Sequence, residues 1–109
     1  MRYGLKFPDY QAGKPFEFER EMGYSPAEFL HVAQQSFAGK ASLRSVEDGV
    51  CVETATGRLT LRVLESFQRR LGLMELPVSR VHFAFEGMGE RQIQQWLGVL
   101  ERTFHRGGG

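Results

Sequence analysis

The chain reads as an α+β domain: an antiparallel sheet forming a meander of about four strands, with an N-terminal and a C-terminal helix packed on one face, in the order β-α-β-β-β-β-α. Three observations carry this expectation. The stretch from Leu43 to Val63 alternates apolar and polar residues around two turn signals, Asp48-Gly49 and Thr56-Gly57. A stretch opening at Ser25-Pro26 has both a helix start and a helical apolar spacing. A second helical stripe, Ile93, Trp96, Leu97, Leu100 and Phe104, closes the chain.

Each element follows from local chemistry. Tyr3, Leu5 and Phe7 alternate and suggest a short strand in an N-terminal arm, residues 1–15, which Pro8, Gly13 and Pro15 interrupt. Phe16-Glu17-Phe18-Glu19-Arg20-Glu21 alternates cleanly and reads as a strand with Phe16 and Phe18 inward. Ser25 is suited to cap a helix, Pro26 fits its first position, and Glu28 completes a capping box. Phe29, Leu30, Ala33 and Phe37 then recur at helical spacing until Gly39, so a helix is expected over about 26–38.

The meander is expected over about 40–64. A two-residue turn at Asp48-Gly49 sets Ser45 opposite Val52, Arg44 opposite Glu53 and Leu43 opposite Thr54. A turn at Thr56-Gly57 sets Thr54 opposite Leu59, Val52 opposite Leu61 and Val50 opposite Val63. Both place Leu43, Val50, Val52, Leu59, Leu61 and Val63 inward, and Arg44, Cys51, Glu53, Thr60 and Arg62 on a face polar enough to meet water. Residues 65–77 carry both helical and strand spacings; Pro77 argues against an uninterrupted central strand, and an extended segment is expected. Val81, Phe83 and Phe85 mark a further strand, Gly87-Met88-Gly89 ends it, and a helix follows over about 90–105. Gly107–Gly109 reads as a flexible tail, leaving residues 16–106 as one domain.

Composition narrows function. A net charge of +1 gives no global electrostatic case for nucleic acid or an acidic membrane surface. The single cysteine, Cys51, excludes an intrachain disulfide and a paired-cysteine zinc site, and fits a cytoplasmic protein. His31, His82 and His105 lack ligand spacing, so no metal and no cofactor are expected. Arg62 is the expected cross-strand neighbour of Cys51, which is read as a small residue on a partly exposed face.

Well-specified elements beside few catalytic groups point to a non-catalytic protein-interaction or adaptor module. It would pair as a homodimer through an exposed sheet edge or the outer sheet face. The alternative is a small hydrophobic-ligand-binding domain. Its cleft between helices and sheet would be lined by Phe16, Phe18, Phe29, Phe37, Phe83 and Phe85, with His82 as a polar member. A third and least favoured reading makes His82 a catalytic residue beside Arg80 and Glu86.

Overall fold

A computed structural model describes residues 16–39 and 42–104; the expected arm over 1–15, His105 and the glycine tail lie outside the described residues. The elements are β1 (Phe16–Met22), α1 (Pro26–Phe37), β2 (Ser42–Val46), β3 (Gly49–Glu53), β4 (Arg58–Leu71), β5 (Met74–Glu86) and α2 (Glu90–Phe104). The five strands form one antiparallel sheet in the order β1-β5-β4-β3-β2. The order of elements is the one expected, with one strand more than the meander of about four.

α1 starts as its sequence dictates. The Ser25 hydroxyl accepts from the Glu28 backbone N–H at 3.2 Å, and the Glu28 carboxylate accepts from the Ser25 N–H at 2.9 Å. Gly39, at φ +82°, follows the helix end. The helix buries Phe29, Ala33 and Phe37. α2 buries Ile93, Trp96, Leu100 and Phe104. These two stripes meet the Val50, Val52, Leu59, Leu61, Val81, Phe83 and Phe85 face of the sheet in a single core. Its aromatic rings interlock: Phe29 stacks on Phe104 at 5.1 Å between centroids, and Phe37 meets Trp96 edge-on at 5.6 Å.

Two registers differ from expectation, and both by two residues. The first turn is built on Glu47-Asp48, not Asp48-Gly49, so Ser45 pairs with Val50, Leu43 with Val52 and Arg44 with Cys51. Asp48 takes the left-handed conformation itself, at φ 58°. Gly49 is instead the first residue of β3, where a Cβ would lie 2.0 Å from the Leu61 carbonyl oxygen. The close approach of β4 therefore reserves the glycine for the strand. In the second connection Val52 pairs with Leu59 and Val50 with Leu61, leaving a four-residue loop over Thr54–Gly57. The Thr54 hydroxyl closes that loop by donating to the Gly57 carbonyl at 2.9 Å and accepting from the Gly57 N–H at 3.1 Å. Because each shift is even, every side chain keeps its expected face.

The shifts replace the expected neighbours of Cys51. Thr60 lies opposite it, and Arg62 lies opposite Gly49 with its Nε donating to the Glu47 carbonyl at 3.2 Å. Cys51 is on the outer face as expected but is 1% exposed, not partly exposed. Arg44 and Thr60 flank the thiol, each with a polar atom 3.8 Å from Sγ. Arg44 still reaches Glu53, at 3.1 Å, across the diagonal of the ladder.

Candidate interaction site

Residues 65–77 are extended, as expected, and they explain the shape of the molecule. Along β4 the pairing with β3 stops at Gly49, the first residue of β3, opposite Arg62, and β1 ends at Met22, opposite Ser79. β4 and β5 continue together beyond both neighbours to the turn Gly72-Leu73. Gly72 has φ +61° at the first turn position, the conformation a two-residue hairpin of the II′ type requires there. The eight residues Leu64–Leu71 make a two-stranded arm about 26 Å long at strand rise. The molecule measures 46 × 29 × 21 Å.

A bulge marks the root of this arm. Val63 pairs with Val81, but Glu65, not Leu64, pairs with Arg80. The extra residue reverses the alternation. Leu59, Leu61 and Val63 share the helix-covered face, whereas Glu65, Phe67, Arg69 and Leu71 share the outer face with Arg80, Val78, Leu76 and Met74. The opposite side of the arm carries Ser66, Gln68, Arg70, Glu75 and Pro77. Pro77 lies where β5 has a neighbour on one side only, which is why it is tolerated in a strand.

Every residue from Leu64 to Glu75 is exposed. Among the described residues, the exposed large hydrophobic side chains are Leu64, Phe67, Leu71, Leu73 and Met74, all on this arm, with Leu73 fully open to solvent at its tip. Ion pairs brace the arm's base. Arg69 reaches across β5 to Glu21 of β1 at 2.7 Å, near the buried Val78, and its guanidinium lies 5.7 Å from the Phe67 ring centre. Arg80 of β5 binds Glu19 of β1 at 2.8 Å and Glu65 of β4 at 3.1 Å. Hydrogen bonds donated to the Glu19 and Glu65 carboxylates hold the Arg80 guanidinium protonated above its already high range.

The residues singled out from sequence separate onto the two sides of the sheet. Phe29, Phe37, Phe83 and Phe85 are buried in the core, and Phe18 is half-buried with its ring stacked on Phe83 at 4.8 Å. Phe16 packs beside Phe18 and Phe85. His82 is on the outer face, 2.8 Å from a Glu17 carboxylate oxygen, away from all six phenylalanines. Its two strand-mates do not converge on it: Arg80 is held by Glu19 and Glu65, and Glu86 by Arg58 at 3.0 Å. Among the described residues no group of three or more His, Cys, Asp or Glu is placed to hold a metal ion.

Two open depressions lie elsewhere. One of about 390 Å³ is lined by Glu53, Thr54, Gly57, Arg58, Glu86 and Gly87, where Arg58 is paired with Glu86 and Glu53 with Arg44. The other, about 540 Å³, is lined by Gln35, Ser36, Ala38, Val99, Arg102 and Thr103 between the helices. In the first, the Thr54 hydroxyl is bound to the Gly57 backbone.

Sequence inspection missed two features. Tyr24 is 2% exposed although it sits in no periodic run. It precedes the helix cap and lies five residues before Phe29, the spacing of a hydrophobic staple, which would have marked it. The arm's outward apolar set escaped because the bulge reverses the alternation at a residue that looks like any other leucine. The chain matches no protein-family model, and no curated protein or solved structure was found to be similar to it.

Proposed function

We propose that the protein is a non-catalytic protein-interaction module whose binding element is the β4–β5 arm. The observation that carries this is the gathering of the exposed large hydrophobic side chains of the described residues on one projecting hairpin. Scattered surface leucines need no explanation, but a contiguous set on a slender arm loses contact with water only when something else covers it. The arm adds little to the domain's own core, so its apolar content is better accounted for by association than by folding. The rest of the outer face, a ladder of paired charges, offers a polar rim beside that apolar patch.

Photo-crosslinking in living cells tests this. A photoreactive amino acid is placed at Leu73, and in a control at Gln35, which is exposed on α1. Covalent adducts that form from position 73 and not from position 35 are expected. No adduct from position 73 would remove the arm from consideration as a binding element.

A further inference from the structure

We infer that the partner of the arm is a second copy of this chain, joined by antiparallel pairing of the two β4 edges about a two-fold axis through Phe67. This inference rests on the arm being the binding element and goes further by naming what binds.

The arm offers two open edges, and they are not equivalent. The β5 edge carries Pro77, which has no N–H to give a neighbouring strand. The β4 edge from Leu64 to Leu71 contains no proline, and its backbone groups are open on that side once the pairing with β3 has stopped. The N–H of Val63 is already used by the Asp48 carbonyl, at 2.8 Å. A partner strand therefore meets a stop at the Glu47-Asp48 turn and has the stretch from Leu64 onward to pair with.

The sequence of that stretch is complementary to itself. When two strands related by a two-fold axis pair edge to edge, residues directly opposite share a face, so the sum of their numbers is constant and even. Two registers fit the open edge, centred on Phe67 or on Gln68. Centring on Gln68 sets Glu65 opposite Leu71 and Phe67 opposite Arg69 of the other copy. Centring on Phe67 sets the two Phe67 rings face to face and places Glu65 opposite Arg69 twice, once on each side of the axis. Ser66 then faces Gln68, and Leu64 faces Arg70. All of Glu65, Phe67 and Arg69 lie on one side of the arm, so the two charge pairs flank the aromatic pair on a single face. Opposite charges across neighbouring strands stabilise the pairing and like charges oppose it, which selects the Phe67 register. The two arms together make a four-stranded ribbon with the apolar residues of both copies on one side, an isologous contact that closes at two copies.

The test is the mass of the full-length chain in solution, measured by sedimentation over a concentration series. The wild type is expected to be a dimer. Glu65→Arg sets arginine opposite arginine, and Arg69→Glu sets glutamate opposite glutamate. Each is expected to lower dimer affinity by at least about tenfold. Both positions are exposed, and circular dichroism confirms that each variant is folded. Mixing the two variants in equal amounts restores both opposite-charge pairs in the mixed dimer, so dimer is expected to return. Phe67→Glu provides a second variant that should dissociate the dimer. A wild type that stays monomeric, or an adduct from position 73 that contains a different protein, overturns the second-copy inference while leaving the arm as a binding element. Variants that weaken the dimer without rescue on mixing overturn the register. A dimer indifferent to all three substitutions is joined elsewhere and overturns the inference; the arm reading falls with it only when position 73 also forms no adduct.

Discussion

The Ser79 hydroxyl donates a hydrogen bond of 2.7 Å to the backbone carbonyl of Tyr24, in a fully buried setting. Ser79 also pairs with Met22, the last residue of β1, so this bond fastens the end of β1 and the entry to α1 at the level where the arm leaves the sheet. Ser79→Ala is expected to cost about 1–2 kcal/mol, because the replacement removes a buried bond without filling its place. Urea unfolding followed by circular dichroism measures it. A change under a few tenths of a kcal/mol would show that this junction is held by other contacts.

Gly49 gives a sharper expectation. A Cβ there would sit 2.0 Å from the Leu61 carbonyl oxygen and 2.9 Å from the Arg62 Cα, both backbone atoms that cannot swing aside. Gly49→Ala should therefore separate β3 from β4 and destabilise the fold by more than about 3 kcal/mol, or prevent recovery of soluble protein. Near-wild-type thermal stability would contradict the close approach.

Gly98 is expected to behave in the opposite way. It lies within α2, and the contact found for an added Cβ is the mobile end of the Arg102 side chain at 3.4 Å. Gly98→Ala should raise stability by about 0.5–1 kcal/mol through helix propensity alone. A loss of stability in the same unfolding measurement would refute this.

The arm and the core should respond to substitution as different materials. Leu73→Asp at the arm tip is expected to change monomer stability by less than about 0.5 kcal/mol, because the side chain is as open to solvent when folded as when unfolded. Phe83→Ala, in the fully buried core, should cost about 3–5 kcal/mol. The comparison belongs at high dilution, where association does not enter. Similar losses at both positions would mean that the arm packs against the body.

Most of the body was legible in the sequence because its signals are local or periodic. Ser25 and Glu28 are a few bonds apart, and their reciprocal hydrogen bonds follow from spacing alone. The inward set of Val50, Val52, Leu59 and Leu61 follows from alternation and survives a two-residue error in register. The exact turns were not legible. Asp48-Gly49 and Thr56-Gly57 look like two-residue turns, but each glycine answers to a backbone that approaches from elsewhere. Gly49 makes room for Leu61, and at Gly57 a Cβ would lie 2.2 Å from the Glu86 carbonyl oxygen. Such requirements arise between residues far apart in the chain.

The outer face shows the same division. Glu17, Glu19 and Glu21 could be placed on one side of a strand by alternation, but their partners His82, Arg80 and Arg69 come from strands more than forty residues later. The six phenylalanines proposed as a cleft lining are neighbours of one core, because they belong to the inward faces of their elements. His82 was grouped with them on the strength of its strand, although its even position sends it to the other side. The arm remained ambiguous because Leu61, Leu64, Phe67 and Leu71 keep a helical spacing while Leu71, Leu73 and Glu75 alternate as in a strand.

That single leucine lets one alternation in the sequence serve two opposite faces of the sheet. The body and the arm are read from one continuous odd-numbered series, Leu59, Leu61, Val63, Phe67 and Leu71, and Leu64 divides it into two sets that face opposite ways. Loss of Leu64 would leave Val63 opposite Val81 and Glu65 opposite Arg80, so the arm would keep both its faces and give up only the local bend of the bulge. Leu64 is thus a spacer between two stretches of one alternating sequence.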